Sequence, residues 1–224
     1  MISVIIPTLN EAENIRACIE CVRAEDGDCE MIVCDGGSSD ATVRIVREYD
    51  DAILIETEKG RGAQMNRGAE AANGEVFFFL HADTKLERGW SGEMLSALAD
   101  ESVAGGAFTF KIDNPALRYR LIESWVKLRC SLFSLPYGDQ GIFVRRGVFD
   151  KIGGYLDIPL MEDVEIIGRL KREGRVVLLE KSAVTHDRRW ARKGWIRASV
   201  SNQMVMIMYK LGIDPHTLAR LYYR

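Results

Sequence analysis

The chain has 224 residues, 47% of them hydrophobic and 28% charged, and its 30 basic and 33 acidic side chains leave a formal net charge of -3. These proportions exclude a disordered chain, a collagen-like repeat and a broadly basic nucleic-acid binder, while the length suffices for one large domain with its own core. Ile2 to Ile6 is apolar but short and lacks a basic flank, so it does not read as a signal peptide, and a cytoplasmic protein is expected. No apolar run approaches the roughly 20 residues of a membrane span.

The first half alternates short β-rich runs with helical patterns, the signature of a mixed, mostly parallel sheet flanked by helices. Ser3 to Pro7 reads as a strand. Asn10, with Glu13 three residues on, offers a start for a helix running to about Arg23. Glu30 to Cys34 is a second strand, and the turn Asp35 to Asp40 leads into a helix from about Ala41 to Tyr49. Ala52 to Glu56 is a third strand, followed by Gly60-Arg61-Gly62 and a helix from about Ala63 to Ala72. Val76 to Leu80 is continuously apolar, as a strand buried on both faces requires.

The second half is less regular. Gly105 to Ile112 reads as a strand. Leu117, Leu121, Trp125, Leu128 and Leu132 mark one apolar face of a helix ending before Pro136. Gln140 to Arg145 and Val176 to Leu179 are expected strands, Met161 to Glu173 a helix, and the methionine-rich stretch from about Gly194 to Leu211 a C-terminal helix. The reading is one α/β domain over 1–224, with a nucleotide-binding half to about 104, an acceptor-binding half to about 190, and a helical C-terminal part from about 194.

The cysteines are odd in number, five, and unevenly spread, which fits reduced thiols better than disulfides. Cys18, Cys21, Cys29 and Cys34 could be read as a zinc site. Yet Cys18 shares a helical face with Ile15, Ile19 and Val22, and no His lies nearby, so core filling is preferred.

In an open α/β sheet, ligands sit beyond the carboxyl ends of the strands. Pro7-Thr8-Leu9-Asn10-Glu11 follows the first strand, Asp35 the second, Arg61 the third, and His81-Ala82-Asp83 the fourth. Such a rim suits an activated nucleotide. Asp35 could accept the imide N–H of uracil or face ribose hydroxyls, with Gly36 and Gly37 allowing close approach. Alternatively, Asp35 and Asp40 only build a turn and cap a helix. Asp83 is placed to hold a hard divalent cation against a diphosphate, and Arg61 to add a phosphate contact. A dinucleotide fingerprint at Gly60-Arg61-Gly62 fails because Met65 stands where a third glycine belongs.

Together and in this order, Val4 to Glu11, Asp35 to Thr42, His81-Ala82-Asp83, Gly138-Asp139-Gln140-Gly141 and Glu162-Asp163 resemble the motifs of the inverting family 2 glycosyltransferases of GT-A fold. The resemblance implies a nucleotide-sugar donor, UDP-linked by preference, and a divalent Mn²⁺ or Mg²⁺ as cofactor. Pro7, Thr8, Glu11, Asp35, Gly36, Arg61, His81, Ala82 and Asp83 would then bind the donor. Asp83 would be the metal-binding aspartate of the D-x-D motif, whose first aspartate is replaced by His81. Asp163, in the pair Glu162-Asp163, would be the general base that removes the acceptor hydroxyl proton. Gly138, Asp139, Gln140 and Gly141 would help form the acceptor pocket. His186 falls where many members supply a second metal ligand or a phosphate-binding group, and His186 to Trp190 is similar to their Q-x-x-R-W segment with His for Gln, while a solvated basic loop is the simpler alternative.

The last fifth of the chain bears on the acceptor. Arg188, Arg189, Arg192, Lys193 and Arg197 adjoin or enter a helix with Trp195, Ile196 and several methionines. This combination suits an anionic membrane surface, although packing on the domain or on a second subunit is the simpler reading. Gly60 to Asn66 and the short C-terminus resemble a compact branch of the family associated with radical-SAM proteins and arsenosugar synthesis, and other members are named for carotenoids. An arsenosugar precursor, another small molecule or a lipid are thus the implied acceptors. Two alternatives stay open: a nucleotidyltransferase, which would normally carry a glycine-rich loop after the first strand, and a non-catalytic nucleotide-sugar sensor.

Overall fold

The computed structural model describes residues 1–187, 190 and 194–223. The first elements are β1 (Ile2–Thr8), α1 (Ile15–Arg23), β2 (Cys29–Asp35), α2 (Thr42–Val46), β3 (Ala52–Glu56), α3 (Arg61–Ala71) and β4 (Val76–Phe79). There follow β5 (Thr84–Leu86), α4 (Trp90–Leu98), β6 (Val103–Ile112), α5 (Leu117–Phe133), a 3₁₀ turn (Gly138–Gln140), β7 (Ile142–Arg145) and α6 (Arg146–Ile152). The chain continues with α7 (Glu162–Glu173), β8 (Arg175–Thr185), α8 (Trp195–Lys210) and α9 (Pro215–Tyr222).

Among the described residues the strands form one eight-stranded sheet in the order β3-β2-β1-β4-β7-β6-β8-β5. The pairs β3–β2, β2–β1, β1–β4 and β6–β8 are parallel, while β4–β7, β7–β6 and β8–β5 are antiparallel. This is the mixed sheet expected of a GT-A-like fold. Strand β1 pairs with both β2 and β4, and the order reverses there. A crevice therefore opens at the strands' carboxyl ends, where sheets of this kind bind ligands.

Apolar residues alternate between two cores on either side of the sheet. Ile2, Val4 and Ile6 of β1 join Ile15, Ile19 and Trp90 on one side, and Ile5 joins Met65, Phe79 and Ile167 on the other. The α1 face Ile15, Cys18, Ile19 and Val22 is buried as expected. All five cysteines are free. Burial pushes the Cys34 thiol up to about 12 and the Cys29 thiol up to about 11, so both stay protonated and act as small apolar groups.

Several expectations are corrected. The helix read as 41–49 shortens to Thr42–Val46, and the strand read as 176–179 extends to Arg175–Thr185. The C-terminal part is two helices, because Gly212 takes a left-handed conformation (φ 85°) and Pro215 starts a new helix capped by Asp214. In α5 the face Leu117, Leu121, Trp125, Leu128 and Leu132 does not enter the core, and each of these side chains is exposed. Instead Tyr119, Val126, Arg129 and Cys130 are buried. The basic residues Arg188, Arg189, Arg192 and Lys193 lie outside the described residues.

Candidate active site

The polar residues at the strand ends fall into two groups. The first surrounds the turn after β2. Asp35 is buried, and its carboxylate accepts hydrogen bonds from the Gly37 N–H (3.0 Å), the Ser38 N–H (2.7 Å), the Ser38 hydroxyl and the Thr8 hydroxyl (3.2 Å). Of the two roles open from sequence, this geometry fits the turn organiser. A nucleotide base would have to displace one of these donors. Asn10, in the left-handed region (φ 56°), ties the end of β1 to the same turn by accepting from the Ser39 N–H (2.8 Å). Glu11 lies beside it, half-buried, accepting from Asn14 (2.6 Å).

The second group lines a cavity of about 790 Å³. Its polar walls include Arg61 from the start of α3, His81 and Asp83 from the β4–β5 turn, Asp139, Asp163 and His186. Thus six residues read from the sequence meet in one place. Pro7, Thr8, Glu11, Asp35, Gly36 and Ala82 are not part of this wall: Pro7 pairs with Cys34 inside the sheet, Ala82 is in the core, and Gly36 abuts Gln64.

Asp163 stands in the first turn of α7, where the helix dipole favours a negative charge. One carboxylate oxygen accepts from the Gly138 N–H (2.8 Å) and the other from the Val164 N–H (2.7 Å). A β-carbon on Gly138 would lie 3.0 Å from Nε2 of His81 and 3.5 Å from Oδ2 of Asp163. The missing side chain is what lets all three pack together. Burial, and secondly the Arg61 charge, lower the pKa of His81 against opposing contributions from Asp83 and Asp163. Its imidazole is therefore neutral at neutral pH.

The neighbouring Glu162, read as catalytic with Asp163, is placed against Arg61 and lines a small cavity behind the large one with His81 and Asp163. It is 2% exposed, lies outside the large cavity, and accepts from Nε of Arg61 at 2.7 Å. Burial raises its pKa, with Arg61 opposing. For Arg61, burial works against the charge but is outweighed by Glu162, Asp163 and nearby Tyr223 and Asp139, so its pKa rises. Gly62 permits this placement, since a β-carbon there would sit 2.5 Å from the Leu156 carbonyl oxygen.

Within Gly138-Asp139-Gln140-Gly141, Asp139 alone lines the large cavity. Gln140 is fully buried and is corrected to a structural role: its amide donates to the Phe108 carbonyl (3.0 Å) and accepts from Arg129 and the Tyr137 N–H, both at 3.1 Å. Gly141, at φ 64°, lies where a β-carbon would meet the Phe78 ring at 2.8 Å, so it shapes the turn rather than contacting a ligand.

Asp83 and His186 are brought together by the sheet. Antiparallel pairing of Thr84 with Thr185 puts Asp83 opposite His186, whose N–H donates to the Asp83 carbonyl at 3.3 Å, and both line the cavity. Among the described residues no group of three or more His, Cys, Asp or Glu side chains is arranged to hold a metal. Asp83 and His186 bring one carboxylate and one imidazole to this cavity, donor types that suit a divalent ion.

Most of the remaining cavity lining was not legible from sequence, although Met161 and Trp190 belong to segments singled out there. Leu160, Met161 and Val164 form part of it, with Tyr137 and Trp190, and the helical hairpin contributes Asn202 and Val205 of α8 and Tyr222 and Tyr223. The Tyr222 hydroxyl donates to Asn202 at 2.8 Å, tying α9 to α8. Composition offered one signal, the aromatic residues at the end of the chain.

A family model for glycosyl transferase family 2 matches residues 3–155, and the chain belongs to that family. Curated relatives include a PGL/p-HBAD biosynthesis glycosyltransferase of Mycobacterium bovis, 32% identical over 162 residues, covering 69% of this chain and 63% of the relative. Glycosyltransferase AglE of Haloferax volcanii is 30% identical over 168 residues, covering 69% and 55% respectively. The chain thus spans somewhat under two thirds of the length of these relatives. Among solved structures, mannosyltransferase PcManGT of Pyrobaculum calidifontis, in complex with GDP-Man and Mn²⁺, superposes with a TM-score of 0.75 at 21% identity over 99% of this chain and 68% of that one. TarS of S. aureus in complex with UDP-GlcNAc gives 0.62 at 19% identity, covering 82% and 58%. These structures share the GT-A fold with this chain.

Proposed function

We propose that this protein transfers a sugar, with inversion, from a nucleotide diphosphate sugar to an acceptor hydroxyl, with Asp163 as general base. The observation that carries the reading is the Asp163 carboxylate, fixed by the Gly138 N–H and facing the same cavity as Asp83 and His186. Inversion needs one base to take the acceptor proton as its oxygen attacks the anomeric carbon opposite the leaving diphosphate. Two accepted N–H bonds hold the carboxylate in one orientation without neutralising it.

Asp83 and His186 would hold a divalent Mn²⁺ or Mg²⁺, which when bound offsets the charge developing on the departing diphosphate. Arg61, positioned by Glu162, adds fixed positive charge at the same wall. Neutral His81, in place of an aspartate, leaves Asp83 as the single carboxylate of that turn. The cluster Thr8, Glu11 and Asp35 shapes the base-binding end, with Asp35 organising its turn. A uridine donor is the first choice by resemblance, and the relatives' GDP-Man and UDP-GlcNAc complexes make both bases worth testing.

On the acceptor side, Asp139 lines the cavity together with Leu160, Val164, Val205 and Tyr222. This suits a hydroxyl carried on a partly apolar small molecule or lipid. The arsenosugar precursor stays a narrower proposal, supported by the sequence from Gly60 to Asn66.

A panel of UDP- and GDP-sugars with Mn²⁺ or Mg²⁺, read by release of nucleoside diphosphate, tests the proposal. Metal-dependent release from one donor is expected. Donor binding with no release from any donor, in the presence of small-molecule and lipid alcohols, would favour a nucleotide-sugar sensor, and release of pyrophosphate from nucleotide triphosphates a nucleotidyltransferase.

A further inference from the structure

Helices α5 and α8 meet at one buried cluster. Tyr119, Val126 and Cys130 of α5 share a buried cluster with Ala198 of α8, and Lys210 near the end of α8 lies 5.8 Å from the ring of Phe133 at the end of α5. Each helix turns an apolar stripe to solvent. On α5 it is Leu117, Leu121, Trp125, Leu128 and Leu132, exposed by 48–76%, and on α8 and its C-cap it is Ile196, Val200, Met204, Ile207 and Leu211, exposed by 52–76%. Both stripes advance by four, four, three and four residues, a spacing that keeps every member on one side of its helix. An exposed patch of this extent marks an interaction surface.

Charge identifies the occupant. The exposed ionic residues of these helices are cations: Arg118 and Lys127 on α5, Arg197 and Lys210 on α8. Helix α8 contains no acid, and the one acid of α5, Glu123, is 13% exposed and paired with Arg120 at 2.9 Å. This concentration occurs in a chain whose net charge is -3. A second copy packed on the same face about a twofold axis would set these cations against one another. An anionic lipid surface instead accepts the apolar stripes and neutralises the cations around them.

We infer that the α5–α8 face docks this protein on an anionic membrane surface. No helix among the described residues is long and apolar enough to cross a membrane, so the attachment is peripheral. Helix α8 also contributes Asn202 and Val205 to the cavity; these lie on the side of α8 turned away from the stripe, so docking sets the cavity one helix diameter behind the lipid contact.

The test is flotation of the full chain with vesicles of phosphatidylcholine alone and of phosphatidylcholine mixed with phosphatidylglycerol. The chain should float with the mixed vesicles, less so at high salt. Trp125→Glu and Ile207→Glu should each weaken partition by about tenfold or more, since each removes a large apolar side chain from the lipid contact. Both side chains are exposed in the free protein, so thermal unfolding should stay at the parental temperature. Absence from the mixed vesicles, equal recovery with both vesicle types, or unchanged binding in both variants would overturn the inference. So would a dimer in light scattering that Trp125→Glu converts to monomer, which assigns the face to a second copy. Flotation needs no sugar donor, so its outcome is independent of the proposed transfer reaction.

Discussion

Replacing Arg61 with Met removes the cation that faces buried Glu162. The Arg61 Nε lies 2.7 Å from a carboxylate that is 2% exposed, while Arg61 itself is 41% exposed. Breaking a fully buried pair costs about 3–5 kcal/mol, and screening of the half-exposed arginine reduces the expectation to about 2–3 kcal/mol. Glu162→Gln, which keeps a carbonyl oxygen for Nε, should cost about 1 kcal/mol. The double variant should be less destabilised than the sum by about 1–2 kcal/mol.

The pH dependence distinguishes this pair from simple loss of packing. Burial holds the Glu162 carboxyl above its ordinary range despite Arg61. An acid whose pKa is raised on folding favours the folded state when protonated, so its contribution is present at low pH and is lost as pH rises through the folded value. Without Arg61 that value rises further. The deficit of Arg61→Met relative to the parent should therefore be small near about pH 4, below the ordinary carboxyl range, and grow toward about pH 8. Urea unfolding at both pH values measures it. A deficit that is constant, or that shrinks as pH rises, would refute the reasoning.

Gln140→Leu should cost about 2–4 kcal/mol, because it leaves buried Arg129, the Tyr137 N–H and the Phe108 carbonyl without their partner; thermal unfolding checks this. Gly68→Ala should destabilise by about 1–3 kcal/mol, since its β-carbon would lie 2.4 Å from Ile5 Cγ2 and 2.9 Å from Cys34 Sγ. A melting temperature equal to the parent's would contradict the close approach of α3 to the sheet. Asp83→Asn should weaken Mn²⁺-dependent donor binding by about tenfold or more, and EDTA should weaken the parent but not the variant further. Calorimetric titration with and without Mn²⁺ reads both effects.

Much of the first half was legible because its signals are local. Strands β1 to β4 are apolar runs bounded by turn residues, and their ends carry Arg61, His81 and Asp83 in the order the sheet brings together. Asp163 was legible through its pairing with Glu162 at a helix start, but that Glu162 anchors Arg61 depends on burial, which spacing does not reveal. Gln140 was misread for a similar reason: a polar residue inside a motif was taken to face ligand, whereas its amide satisfies a buried turn. The α5 periodicity showed an apolar stripe but not that the opposite side, with Tyr119 and Cys130, packs on the protein. Tyr222 and Tyr223 reach the cavity through a long-range return of the chain, which no local pattern encodes.

The central claim is that Asp163 is the base for sugar transfer. It is tested most directly by Asp163→Asn, with donor binding and transfer measured on the same preparation. Asn retains one oxygen to accept from the Gly138 N–H, so nucleotide diphosphate affinity should stay near the parental value. Transfer should fall by about 10²–10⁴-fold, the usual contribution of a positioned general base. Parental transfer rates in that variant would contradict the account.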